Sequence, residues 1–196
     1  MNKNKQQGFT LIELLIVVGI ISVLGMAIYG IVKKVENSEK VNSTITFTTT
    51  VLQRINDASA VAPNYEKFGV STSYSAGNSA FSNVTAQAPD ALIKSGIIPP
   101  NNLQDNYVVS SYNQRVGFYY STTPNLFFMS LPKLPAGACL QIGQQVQNYA
   151  DALIVQSGGG GGVLAKTLDG NFDRDKLQTE CLAANESTLV LVKSKE

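Results

Sequence analysis

Apolar positions follow two different patterns along this chain. Between Phe9 and Val32 about 18 of 24 residues are apolar, and Glu13 is the single charge. As an α-helix that stretch measures about 36 Å, enough to cross a bilayer core of about 30 Å. From Val41 the pattern becomes amphipathic. Val41, Ile45, Thr48, Leu52, Ile55 and Ser59 recur at alternating four- and three-residue steps, one helical face, while Asn42, Ser43, Thr46, Thr49 and Asn56 fall on other faces. Pro63 lacks an amide donor and disfavours helical geometry at Ala62, so it closes the pattern. The expectation is one helix over 9–62, membrane-spanning over 9–32 and laid on a globular head (63–196) over its second half.

Within the head, 64–88 is rich in Ser, Asn, Ala and Gly and reads as a surface connection. Pro89 to Gly96 reads as a short helix with Pro near its start and Gly past its end, stopped by Pro99-Pro100. Tyr107–Tyr112, Val116–Ser121 and Asn125–Leu131 are aromatic and β-branched with short connections, which predicts a three-stranded antiparallel meander. Helical spacing at Leu140, Val146, Tyr149 and Leu153 predicts a helix over 137–154, a second short helix precedes Cys181, and Ser187–Lys193 reads as a last strand. The fold class is α+β with an antiparallel sheet.

The first residues set a choice among three readings. Lys3 and Lys5 before an apolar run fit a secretory signal peptide, but the run exceeds the usual 7–15-residue apolar region, and no small-residue cleavage site follows it. An ordinary membrane anchor fits the length and leaves Glu13 unexplained, since a carboxylate at the bilayer centre costs about 2.5–3.5 kcal/mol. The third reading accounts for leader, junction and acid together. Gly8-Phe9-Thr10-Leu11-Ile12-Glu13-Leu14-Leu15-Ile16 resembles the processing and assembly signature of the type IV pilin family.

That resemblance implies a leader, 1–8, removed between Gly8 and Phe9 by a prepilin peptidase, which then N-methylates Phe9. Glycine lets the backbone lie close to an active site. Cleavage creates an amine that is positive at neutral pH, and methylation keeps the charge. The resemblance further implies that Glu13 of one subunit meets the Phe9 amine of another during assembly, so two buried charges are paired. It implies a type IV pilin fold, a long N-terminal helix packed on an antiparallel β-sheet head with a C-terminal disulfide region. Many relatives carry Pro where this chain has Gly30, so any local opening of the helix is expected within residues 19–30, where Gly19, Gly25 and Gly30 also suit close helix packing.

Cys139 and Cys181 lie in the part of the chain that would be exported, where one disulfide is expected; two buried free thiols are the alternative. A bridge would close a loop of about 43 residues, worth about 4 kcal/mol on a chain-entropy estimate. The order cysteine, long helix, loop, short helix, cysteine, strand resembles the type IVb class, and the short leader with Phe9 resembles type IVa.

Charge and composition narrow the chemistry. Fifteen Lys and Arg balance 14 Asp and Glu, and histidine is absent. No Ser-His-Asp or Cys-His triad and no histidine-ligated zinc can be built, and two cysteines are too few for a thiolate zinc site. Net charge near zero gives no field for nucleic acid. Removing 1–8 takes away Lys3 and Lys5 and changes the formal charge from +1 to −1. Gly158–Gly162 before Lys166-Thr167 mimics a phosphate loop, but Ala165 stands where that motif requires glycine. Asp169, Asn171, Asp173 and Asp175, with Glu180 eleven residues after Asp169, are spaced like calcium-loop ligands. Arg174 replaces the glycine that such a loop needs at its sixth position, so a solvated turn capping the helix before Cys181 is the favoured reading. The acceptor patterns at Asn42, Asn83 and Asn185 are short enough to arise by chance.

The expectation is therefore a structural subunit with no cofactor and no enzymatic activity. The resemblance implies these partners: identical or related pilin subunits, the prepilin peptidase and N-methyltransferase, an inner-membrane assembly platform, and the membrane itself before assembly. It implies location in the inner membrane as precursor and then in a pilus on the bacterial surface. The alternatives are a minor pilin, a type II secretion pseudopilin, or a tip adhesin or DNA-binding pilin.

Overall fold

The computed structural model describes residues 11–62, 64–73, 78–158 and 161–195, without the side chains of 25–33. Phe9, Thr10 and Pro63 lie outside the described residues. The first helix, α1, runs unbroken over Leu11–Ser59, through all three glycines. The chain divides into two compact units, Met1–Glu39 and Lys40–Glu196.

In the second unit the α1 stripe is buried as expected at Val41, Thr48, Leu52, Ile55 and Ser59, and it is wider, since Thr44, Phe47 and Val51 are buried too. No basic residue stands in the last turn of α1. The Lys195 ammonium supplies the charge instead, donating to the carbonyls of Ser59 and Ala62, where the free C=O groups concentrate negative potential.

The helix packs on a six-stranded sheet. Its strands are β1 (Val70–Ser71), β4 (Gly117–Thr122), β5 (Asn125–Pro135), β6 (Ala152–Ser157), β7 (Gly162–Lys166) and β8 (Glu186–Ser194). Their spatial order is β1-β4-β5-β8-β6-β7, antiparallel except for the β1–β4 pair. The C-terminal strand β8 thus lies between β5 and β6, pairing Phe128 with Val192 on one side and Ile154 with Val190 on the other. Alternate residues of β5 serve two cores. Phe127, Met129 and Leu131 join Val51, Leu52 and Ile55 of α1, whereas Leu126 and Phe128 join Phe81, Ile154 and Val190 on the opposite face.

Three expectations are corrected. The segment 64–88 is not simply a surface connection: Tyr65, Phe68 and Phe81 are buried, and Val70–Ser71 adds a strand parallel to β4. Phe81 seals the outer face of the sheet, its ring centroid 5.3 Å from Phe128 and 5.4 Å from Tyr119. The backbone of this segment is tied down by Tyr119 Oη, which donates to the Ala80 carbonyl at 2.7 Å, and by Gln156 Nε2, which donates to the Asn78 carbonyl at 3.0 Å.

The expected meander loses its first strand. Asp105 and Asn106 adopt φ of 48° and 64°, a turn that pairs β2 (Leu103–Gln104) with β3 (Tyr107–Val108) in a separate two-stranded ladder. The expected helix over 137–154 ends early. Helix α3 covers Ala136–Val146, and Ala152–Ser157 is strand β6. Residues 152–156 are all buried, because β6 lies inside the sheet with both faces covered. Such a run has no alternation, so periodicity cannot separate it from helix. Helices α2 (Asp90–Lys94) and α4 (Arg174–Leu182), with Asp90 in place of the anticipated Pro89 start, lie where short helices were expected.

Candidate assembly site

Over residues 11–24, α1 has no polar face. Leu11, Ile12, Leu14, Leu15, Ile16, Val17, Val18, Ile20, Ile21, Val23 and Leu24 are all exposed, from 46% at Val17 to 79% at Leu11. Four consecutive apolar residues, 14–17, already point around a full helical turn. A helix apolar on every side is one that is buried in its working state. Its one hydroxyl in that stretch besides Thr10 bonds internally, Ser22 Oγ donating to the Val18 carbonyl at 2.8 Å. Glu13 stands in the first turn, where the positive end of the helix dipole favours a carboxylate. Gly8 and Phe9, the expected cleavage pair, lie outside the described residues. Among the described residues no helix is long and apolar enough to cross a membrane; the expected span 9–32 includes Phe9, Thr10 and the side chains from 25 onward, which are not described.

The C-terminal region is held by a disulfide between Cys139 on α3 and Cys181 on α4, both fully buried. The two helices touch where α3 has no side chain: a Cβ on Gly143 would stand 2.8 Å from Leu177 Cδ1. Three polar ties secure the connections around the bridge. Lys166 Nζ donates to the carbonyls of Gln147 and Ala150, both at 2.7 Å. Asp151 accepts from Lys193 Nζ at 2.7 Å and from the Ser194 amide at 2.8 Å. Ser157 Oγ donates to Glu180 Oε2 at 3.0 Å.

The residues spaced like a calcium loop are used separately. Asp173 is the N-cap of α4, accepting from the Lys176 amide at 3.0 Å, and that bond holds its carboxyl below the usual range. The Thr167 hydroxyl does the same for Asp169. Arg174 is the first residue of α4, followed by Asp175, and Glu180 is taken by Ser157. Phe172, next to Asn171, bridges to Lys166 of β7. Among the described residues no group of three or more His, Cys, Asp or Glu is placed to hold a metal ion. The glycine run connects β6 to β7, two antiparallel neighbours, rather than a strand to a helix, and Lys166 spends its charge on carbonyls.

Sequence reasoning missed Phe81 and Lys195. A single Phe in a Ser- and Asn-rich stretch and a lysine next to the end of the sequence carry no periodic signal.

Comparison with known proteins supports this geometry at two levels. Residues 3–29 match the family described as the prokaryotic N-terminal methylation motif. The fold matches the crystal structure of TcpA, a type IV pilin from Vibrio cholerae El Tor biotype, with a TM-score of 0.52 at 11% identity, over 80% of this chain and 99% of that one. No curated protein matches the sequence. The chain carries the methylation motif on a type IV pilin fold.

Proposed function

We propose that this chain is a structural subunit of a type IV pilus. Prepilin peptidase removes residues 1–8, and the new Phe9 amine is methylated. The mature chain waits in the inner membrane, anchored by residues 9–32, until the assembly platform draws it into a filament in which neighbouring helices replace lipid around α1. The observation that carries this reading is the segment 11–24, apolar on every side and interrupted by one carboxylate at Glu13.

Glu13 gives the assembly its register. A carboxylate surrounded by apolar helices is costly unless a cation meets it. The Phe9 amine, four residues away in sequence, is the cation that each added subunit brings to the same depth. The disulfide-tied region 139–181 then serves as the stable outer part of the head. A minor pilin, a secretion pseudopilin, or a tip adhesin or DNA-binding pilin would use the same processing chemistry.

Co-expression with a prepilin peptidase tests the processing step. Mass spectrometry should find a chain beginning at Phe9 and heavier by one methyl group, and Gly8→Val should remain uncut. A chain left intact while a known prepilin in the same cells is cleaved would contradict the proposal.

A further inference from the structure

Two polar hollows flank the turn 110–115 of the second unit. The first, about 340 Å³, is walled by Ser43, Asn101, Asn102, Gln104, Ser110 and Ser111, hydroxyls and amides without a charged group. Ser110 is only 6% exposed, yet its Oγ has no hydrogen-bond partner. A hydroxyl withdrawn from water and left without a partner is rare. Ser111 Oγ donates to Ser43 Oγ at 2.9 Å, which leaves the Ser43 proton for a further acceptor.

The second hollow, about 250 Å³, shares Asn113 with the first. It brings Arg115 and Lys133 together with Ser82, Asn83 and Gln114. Neither cation makes an ion pair among the described residues, and no carboxylate lines either hollow. The Arg115 side chain is held in place. The Arg115 guanidinium lies 3.8 Å from the Tyr107 ring centroid. Lys133 lies where a bulge between Leu131 and Leu134 interrupts the pairing of β5 with β8, with φ of 53°. Glycine would take that φ without strain, so a lysine there points to a use for its side chain.

We propose that the two hollows form one binding site for an acidic saccharide of at least two units. An uncharged ring lies against the hydroxyl and amide wall, and the sulfate or carboxylate of the next ring sits between Arg115 and Lys133. Sugar hydroxyls donate and accept at once, as do the serine and amide groups facing them. The guanidinium fork fits an oxyanion. Nucleic acid fits less well, because a single strand needs open aromatic faces for stacking, and the Tyr107 face is taken by Arg115. The site depends only on the head and is independent of filament formation.

The test is an amide NMR titration of the full chain, held in a polyoxyethylene detergent that carries neither sugar nor phosphate. A chondroitin sulfate disaccharide should shift the amides of Asn113 and Gln114 to saturation, with about tenfold higher affinity than lactose or sodium sulfate. Arg115→Gln and Lys133→Gly should each weaken binding by about tenfold or more, the loss of one charge-assisted contact. Lys133→Gly suits the left-handed backbone, so its melting temperature should hold or rise while binding falls. Equal affinity for sodium sulfate would reduce the site to a bare anion hollow and overturn the proposal. Tighter binding of a single-stranded DNA oligonucleotide, unchanged affinity in both variants, or no shifts at all would overturn it as well.

Discussion

At the scale of single residues, Glu13 carries the assembly account, and its removal is the sharpest substitution. Glu13→Ala makes the helix more apolar, so insertion and leader removal should proceed while filament formation fails. Normal filaments from that variant would contradict the pairing argument. Lys195 makes a separate contribution to stability. Replacing it with Met leaves the carbonyls of Ser59 and Ala62 without their cation, and should cost about 1–2 kcal/mol in urea unfolding of the chain. Tyrosines that are buried or half-buried bear on the alkaline limit. Burial pushes the hydroxyls of Tyr65, Tyr112 and Tyr119 above their ordinary value near 10. The unfolded chain therefore gives up these protons first as pH rises. Their contribution is intact below about pH 10 and lost progressively as pH climbs from there through the folded values. Urea midpoints compared at successive alkaline pH values should fall, and Tyr119→Phe should flatten the decline.

At the scale of elements, the C-terminal bridge and the Phe81 segment have separable effects. Replacing Cys139 and Cys181 together with Ala should lower stability by about 4 kcal/mol, read from urea unfolding. Phe81→Ala should cost about 3–5 kcal/mol, because the outer face of the sheet loses a fully buried aromatic cover from that segment. The bridge was legible because two cysteines in a chain expected to be exported have one obvious partner each. The β4–β5 hairpin and β8 were legible because each is aromatic or β-branched and bounded by turn residues. Other elements carried a misleading signal. Ala152–Ser157 has apolar residues on both faces, so Leu153 continued the spacing set by Leu140 and Val146 although the chain had left α3. The Asp105-Asn106 turn lacks the glycine that marks most tight hairpins, so Leu103–Gln104 was not read as a strand and Tyr107–Tyr112 was assigned to the meander instead. The apolar run was the clearest signal of all, since 24 residues with one charge permit few physical environments. The hollows beside 110–115 were invisible in sequence, as they join residues from Ser43 to Lys133 that only the fold brings together.

At the scale of the molecule, the chain is two kinds of material joined by one helix element. The segment 11–24 exposes apolar side chains on every side, and on the proposed reading lipid or neighbouring subunits cover them. The head has its own core on both faces of a six-stranded sheet, with the C-terminal strand inside the sheet. The most direct test shears filaments from the surface of the producing cells and identifies their major protein by mass spectrometry. The account predicts this chain as the dominant component, beginning with N-methylated Phe9 and carrying the Cys139–Cys181 bridge. Filaments without it, or a chain that stays in the membrane with residues 1–8 still attached, would contradict the central claim.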